Sequence, residues 1–331
     1  MKILITGASG FIGSNLAERL ARNRYRVRGL VRKSSNLDYL NGIPLELAQG
    51  DVTDRSSLDR VMEGIDVVIH AAGVASDWGS YQQFYRVNVV GTQNVAESAL
   101  KHRVKRVVHI STAAIHGFAG FRHATEATPL AKTAWPYCET KKIAEEWLFQ
   151  FSNKTGLPVS VIRPGNAFGP KDHTFFQKYA DALCKGRVGY VSGGKSWTCP
   201  TYIENLVEGI VLSCFEHKAV GEAFIITDGL DITWRCFTEK ITEALGIKSP
   251  GYSVPFWLGY SSATLLEWIY RSAGSTNAPL LTRYRIANAG TDYHFSIEKA
   301  KGLLGFRPDV GLDEAIRRSA EWYLKSKVIS K

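Results

Sequence analysis

Tyr137 and Lys141 stand four residues apart in the run Tyr137-Cys138-Glu139-Thr140-Lys141. On a helix that spacing places both side chains on one face and rotates Lys142 away from them. The pairing has a chemical use. A phenol with a pKa of about 10 is a poor proton donor or acceptor at neutral pH, whereas a neighbouring ammonium favours the phenolate and brings the pKa toward a useful value. The same spacing also arises by accident on surface helices, so the surrounding motifs decide its meaning. The nearest is the apolar run Val107-Val108-His109-Ile110, which ends in Ser111-Thr112. In a doubly wound α/β fold the carboxyl ends of the strands line the ligand crevice, so this run delivers hydroxyl groups beside a bound ligand.

The elements that must position these groups begin at the N-terminus. Thr6-Gly7-Ala8-Ser9-Gly10-Phe11-Ile12-Gly13 follows the apolar run Ile3-Leu4-Ile5 and opens an amphipathic stretch over residues 14–24. Strand, glycine turn and helix in that order make a phosphate cradle: the glycines let the backbone close on a diphosphate, and the helix N-terminus presents unpaired N–H groups to it. Gly7, Gly10, Phe11, Ile12 and Gly13 are therefore candidate dinucleotide-binding residues. The end of the second strand selects the dinucleotide. An acid there takes the ribose 2′-hydroxyl of NAD, and a basic side chain accommodates the 2′-phosphate of NADP. Here it reads Gly29-Leu30-Val31-Arg32-Lys33-Ser34 with no acid, so Arg32 and Lys33 favour NADP(H) over NAD(H); the bland alternative is a solvated basic loop. Asp51, after Leu47-Ala48-Gln49-Gly50, is suited to accept from an adenine amine or to cap a helix.

Residues 27–31, 45–47, 67–70, 107–110 and 159–162 read as continuous apolar strands spaced by helical patterns. Such strands imply a parallel sheet covered on both faces, an α/β doubly wound architecture. After Pro170 the rhythm weakens, but 203–214 reads as a helix and 223–226 as a strand returning to the sheet. The expected organisation is a dinucleotide-binding domain over 1–170, rejoined by 201–227, and a smaller discontinuous substrate lobe over 171–200 and 228–331.

The chain has 331 residues, 45% of them hydrophobic, enough to bury a substantial core. Its net charge of +10 is scattered rather than massed, which fits anionic ligands or membrane surfaces and makes a nucleic-acid partner unexpected. The five cysteines are odd in number and form no CxxC pair, so neither a disulfide framework nor a zinc site is indicated. His70, His109 and His116 lack metal-ligand spacing. No charged and apolar signal segment precedes the first strand and no apolar run reaches about 20 residues, so the expected location is cytoplasmic, with peripheral membrane contact as a variant.

Taken together the motifs resemble the extended short-chain dehydrogenase/reductases, whose dinucleotide-binding part is a Rossmann fold. The residues carrying this are Thr6-Gly7-x-x-Gly10-Phe11-Ile12-Gly13, Gly50-Asp51-Val52, His70-Ala71-Ala72-Gly73, Asn88-Val89-Val90-Gly91-Thr92, Ser111-Thr112, Tyr137-x-x-x-Lys141 and Arg163-Pro164-Gly165-x-x-x-Gly169-Pro170. Asp77-Trp78-Gly79-Ser80-Tyr81, Thr201-Tyr202-Ile203-Glu204-Asn205-Leu206, Thr227-Asp228-Gly229 with Thr233-Trp234, and Pro279-Leu280-Leu281-Thr282 are similar to the 3β-hydroxysteroid dehydrogenase-type branch. The resemblance implies that Tyr137 is the general acid/base, that Lys141 binds the nicotinamide ribose and tunes Tyr137, and that Thr112, with Ser111 as a stand-in, hydrogen-bonds the substrate oxygen. It further implies that Asp51 and Val52 belong to the cofactor site, that Ala71, Ala72 and Gly73 pass beneath the cofactor, and that Pro164 and Gly165 shape the nicotinamide pocket. Asn88 reads as structural. The expected activity is hydride transfer between NADP(H) and a steroid-, terpenoid- or keto-lipid-like alcohol or ketone. The alternative is a sugar-nucleotide epimerase or dehydratase; Asn166 fits it, whereas Ala113-Ala114 and the lack of an arginine over 287–292 do not.

Residues 254–270 are far richer in aromatic and aliphatic side chains than a solvated helix needs. They read as a packed lid, an apolar substrate cover or a monotopic membrane contact. The helical pattern over 312–324 reads as packing against the body. A homodimer is a further expectation.

Overall fold

Seven parallel strands form the central sheet of the computed structural model, which describes residues 1–329. They are β1 (Lys2–Thr6), β2 (Arg26–Val31), β3 (Glu46–Gln49), β4 (Val67–His70), β5 (Arg106–Ile110), β6 (Val159–Pro164) and β7 (Ala223–Ile226), in spatial order β7-β6-β5-β4-β1-β2-β3. The helices of the first half are α1 (Phe11–Arg22), α2 (Arg55–Met62), α3 (Tyr81–Phe84), α4 (Gly91–Lys101) and α5 (Pro136–Thr155). Those of the second are α6 (Phe176–Cys184), α7 (Ile203–Phe215), α8 (Trp234–Ala244), α9 (Phe256–Ser272), α10 (Arg283–Gly290), α11 (Glu298–Leu304) and α12 (Leu312–Ile329).

Alternation along the strands divides the core between the two faces of the sheet. Ile3, Ile5, Val27, Ile69, Val108 and Phe224 lie in one buried cluster with Leu16 and Leu20 of α1 and Leu206 and Ile210 of α7. Leu4, Leu30, Val68, Val107 and Val159 lie in another with Leu58 of α2, Val95 of α4 and Leu148 of α5. Helices on both faces make this the doubly wound α/β fold that the apolar runs imply.

The chain lays down β2 and β3 on one side of β1 and then crosses to β4 on the other side. Thr6 and His70 are register partners at the ends of β1 and β4, so the glycine turn and Ala71-Ala72-Gly73 leave the sheet side by side at the point where the strand order reverses. That is where an open α/β sheet forms its ligand crevice. Residues 81–101 continue as one helical run in which Tyr85–Val90 widens to π spacing between α3 and α4. Late in the chain, α7 packs on α1 and β7 pairs with β6 in parallel. Among the described residues no helix is long and apolar enough to cross a membrane.

Candidate active site

Helix α1 starts without a side-chain cap at Gly10 and without an acid in its first turn, while Arg19 and Arg22 occupy its last turn. Its first N–H groups are therefore left to an anion rather than to a protein carboxylate. The turn is tight: Gly10 N–H donates to Gly7 O at 3.0 Å. A Cβ on Gly13 would lie 2.1 Å from Gly7 O, and one on Gly7, which has φ +71°, would lie 2.8 Å from Ala72 Cα. Only glycine lets β1, α1 and the segment after β4 approach this closely, and the resulting uncapped cradle fits a dinucleotide diphosphate. Phe11 and Ile12 turn back against the core from the first turn of α1.

A cavity of about 470 Å³ opens beyond the ends of β2 and β3 and is lined by Arg32, Asp51, Thr53, Gln83 and Arg86 among others. Lys33 is exposed outside this lining, and Val52 is buried, its carbonyl taking Asn94 Nδ2 at 2.9 Å. Asp51 Oδ1 accepts from Thr53 N at 2.8 Å and Thr53 Oγ1 at 2.9 Å, closing a short turn. The cap of α2 is Asp54, which accepts from Ser56 N at 3.0 Å, so the helix-capping alternative for Asp51 does not hold. Arg86 had no signal in the strand-end pattern because it belongs to the π-spaced turn, from which it lines the same cavity as Arg32.

At the other end of the crevice, Tyr137 and Lys141 share a face of α5, a helix opened by Pro136 and closed by Gly156 in the left-handed conformation. Lys141 Nζ donates to Ile110 O at 2.7 Å, and a Cβ on Gly73 would sit 3.2 Å from it. Thr112 caps the short turn Ala113–His116, its Oγ1 accepting from Ala114 N at 3.2 Å, which leaves the hydroxyl proton to donate. Ser111 Oγ is buried without a hydrogen-bond partner. Burial pushes the Tyr137 phenol up to about 12, against a downward pull from the Thr112 hydroxyl. Burial also brings Lys141 down to about 8, with Glu145 acting in the opposite direction. This corrects the expected direction: the phenol is held protonated, and desolvation rather than the ammonium dominates it.

Buried polar contacts fix the frame. Arg163 Nε on β6 donates to Glu145 Oε1 of α5 at 2.9 Å, and Arg163 Nη1 meets His116 Nε2 at 3.2 Å. Asn88 accepts from Val74 N at 2.8 Å and donates to Thr140 Oγ1 at 3.2 Å, a structural bridge. Thr92 Oγ1 donates to Asn88 O at 2.6 Å, so it must accept from His70 Nε2–H at 3.0 Å. His70 Nδ1 then accepts from Thr6 Oγ1 at 2.7 Å, and Thr6 Oγ1 accepts from Ala72 N at 3.2 Å. Burial holds His70 neutral, down at about 3.

Beside Tyr137 stands an aromatic wall. Phe118 lies 5.3 Å from Trp135, 5.1 Å from Tyr284 and 4.9 Å from Tyr293, ring centre to ring centre. These rings pack with Ala113, Ala114, Cys138 and Cys199, and Tyr137 closes the cluster. Pro164 ends β6 and is buried, and Gly165 N–H reaches Ile226 O at 3.4 Å. Asn166 pairs its amide with that of Asn288, at 3.2 and 2.9 Å. Elsewhere His123, Asp231 and His294 converge. His294 Nδ1 accepts from His123 N at 3.1 Å, which puts the proton of a neutral ring on Nε2 and removes that lone pair from metal binding.

The profile of the family described as "NAD dependent epimerase/dehydratase family" matches residues 3–226, from the first strand to the last strand of the sheet. The chain belongs to this family. Among curated members, the sterol-4-alpha-carboxylate 3-dehydrogenase, decarboxylating, of Mus musculus is 31% identical over 335 residues, covering 97% of this chain and 90% of that protein. A 4-hydroxy-2-methyl-3-oxo-4-farnesyl-3,4-dihydroquinoline-1-oxide ketoreductase of Stigmatella aurantiaca is 32% identical over 328 residues, 96% of each chain. The UDP-glucuronic acid 4-epimerase of Bacillus cereus, solved in complex with NAD, superposes with a TM-score of 0.79 at 21% identity, covering 98% of this chain and 99% of that one. That last likeness shows the fold alone. This epimerase/dehydratase-family member is an NAD(P)-dependent oxidoreductase of the extended short-chain dehydrogenase/reductase type, acting on CH–OH groups, with 3β-hydroxysteroid dehydrogenase-type proteins among its relatives.

Proposed function

We propose that the protein transfers hydride between NADP(H) and the secondary alcohol or ketone of an apolar, polycyclic or isoprenoid-like substrate, with Tyr137 as general acid/base. One observation carries this reading: the protonated Tyr137 phenol, with the Thr112 hydroxyl acting on it and Lys141 one turn along its helix, closes an aromatic cluster that includes Phe118, Trp135 and Tyr284. When bound, the nicotinamide supplies or accepts the hydride. In reduction Tyr137 gives its proton to the substrate oxygen as negative charge develops there, while Thr112 donates to the same oxygen and holds the carbonyl in line. Lys141 positions the ribose and places a positive charge beside the developing phenolate. Arg32 and Arg86, facing one cavity with Asp51, suit a 2′-phosphate next to an adenine amine.

A polycyclic carbonyl needs ring faces and one polar anchor, which is what this cluster offers. The named substrates of the two curated relatives, a sterol carboxylate and a farnesylated quinoline oxide, are of that kind. A sugar nucleotide would instead call for guanidinium groups free to bind a diphosphate. Arg283 is tied to Glu267 and Arg285 to Asp77, at 2.9 and 2.7 Å, and Asn166 is engaged by Asn288.

The test is loss of NADPH absorbance across sterol ketones, β-keto lipids and UDP-sugars, with the Tyr137→Phe variant alongside. Ketone-dependent oxidation of NADPH is expected, falling in Tyr137→Phe by at least about 10³-fold, of the order lost with a general acid, while NADPH binding by fluorescence persists. Epimerisation of a UDP-sugar with no net redox, or unchanged turnover in the variant, would overturn the assignment.

A further inference from the structure

Helix α9 buries two small residues and an acid and leaves several of its large apolar residues outward. Gly259, Ala263 and Glu267 are its buried positions. Trp257, Leu258, Leu265, Trp268 and Ile269 are all exposed, the two indoles at 68% and 66%. Glu267, the one acid between residues 248 and 285, is neutralised from within: it accepts from Arg283 N at 2.7 Å and Arg283 Nε at 2.9 Å. With Arg283 paired to Glu267 and Arg285 to Asp77, Lys248 and Arg271 leave the same stretch basic, in a chain whose net charge is +10.

Scattered exposed apolar side chains are ordinary, but five on one face of a single helix make a patch that implies a partner. The composition selects the partner. Two tryptophans eleven residues apart in sequence lie roughly 16 Å apart along a helix axis, at 1.5 Å per residue. Indoles favour the depth where headgroups meet acyl chains, because one edge is polar and the ring body is not. The absence of an outward acid and the surplus of basic residues complement anionic headgroups.

We propose that the exposed face of α9 seats the protein in the interfacial plane of an anionic lipid surface. The helix is also joined to the crevice. Tyr270 meets Trp78 edge-on at 6.5 Å, Arg271 lies 4.6 Å over the Trp78 ring, and Trp78 Nε1 donates to Ser275 O at 3.1 Å. Trp78 belongs to the segment that follows Gly73, so a protein seated by α9 holds that flank of the crevice next to the lipid.

The full-length protein is centrifuged with vesicles of phosphatidylcholine alone and of phosphatidylcholine with phosphatidylglycerol, beside a Trp257→Ser/Trp268→Ser double variant. The wild type is expected to co-sediment with the phosphatidylglycerol vesicles, less with phosphatidylcholine alone, and less at high salt. The double variant should lose on the order of tenfold or more of its partitioning with an unchanged melting temperature. Independently of any variant, brominated acyl chains should quench wild-type tryptophan fluorescence. Wild-type protein that stays in the supernatant with both vesicles, equal partitioning of the double variant, or absence of quenching overturns the proposal. So does light scattering that shows a wild-type dimer converted to monomer by the double substitution, which would assign the face to a second copy. None of these readouts depends on turnover, so the lipid proposal can fail while the proposed activity stands, and the reverse.

Discussion

Arg32 and Arg86 face one cavity from two unrelated parts of the chain, and the choice of dinucleotide is expected to rest on them together. Arg32→Asp should lower the ratio of kcat/KM for NADPH over NADH by roughly 10- to 100-fold, about 1.4 to 2.8 kcal/mol; an unchanged ratio removes Arg32 from recognition of the 2′-phosphate. Lys141 sets a second expectation. Burial lowers it to about 8, so raising the pH through that value strips the ammonium, whereas Tyr137, near 12, stays protonated. The rate of ketone reduction, read as kcat/KM, should therefore fall as pH rises through about 8. Lys141→Arg should carry that limb out of range, because a guanidinium stays charged. Spacing put Tyr137 and Lys141 on one helical face, since four residues are about one turn, and the neighbouring motifs gave the pair its meaning. The acidity of Tyr137 was not legible, because the rings that surround it come from positions 118, 135 and 284 and meet only in the folded chain.

Strands β1, β4 and β7 could be read from their apolar runs because both of their faces are buried. The edge strand β3 was harder. It runs Glu46–Gln49 with Leu47 47% exposed, starting one residue and ending two residues beyond the 45–47 expectation, since an edge strand answers to solvent as well as to the core. The π-spaced turn at Tyr85–Val90 left no mark in a pattern of period 3.6, yet it carries Arg86 to the cavity lined by Arg32 and Asp51 and Asn88 onto Val74 and Thr140. The buried pair of Arg163 and Glu145 joins helix α5 to β6. Arg163→Met leaves that carboxylate buried without a partner and should cost about 3–5 kcal/mol in urea unfolding. Adding Glu145→Leu should restore most of the loss; no restoration would mean that the arginine acts by packing alone.

At the scale of the molecule, the pieces beyond Pro170 are tied back to the crevice by a few polar latches. Asp77, in the segment after β4, accepts from Thr282 Oγ1 at 2.6 Å and pairs with Arg285 Nε at 2.7 Å. Asp77→Ala should loosen α10 and the aromatic wall it carries. The expected result is a rise of about tenfold in KM for an apolar ketone, the scale of one lost charge-assisted contact, with KM for NADPH unchanged. Equal rises in both would show that the latch supports the whole fold rather than the substrate side.

The pairing of β7 with β6 also orders events during synthesis. β6 is complete at Pro164 and buried along its whole length, but its outer edge is covered only by residues 223–226. Until a growing chain has passed Ile226, that edge offers unpaired N–H and C=O groups beside Val159, Val161 and Ile162, a template for pairing with another chain. A nascent or truncated polypeptide ending between these two strands is thus expected to aggregate more readily than the complete sheet.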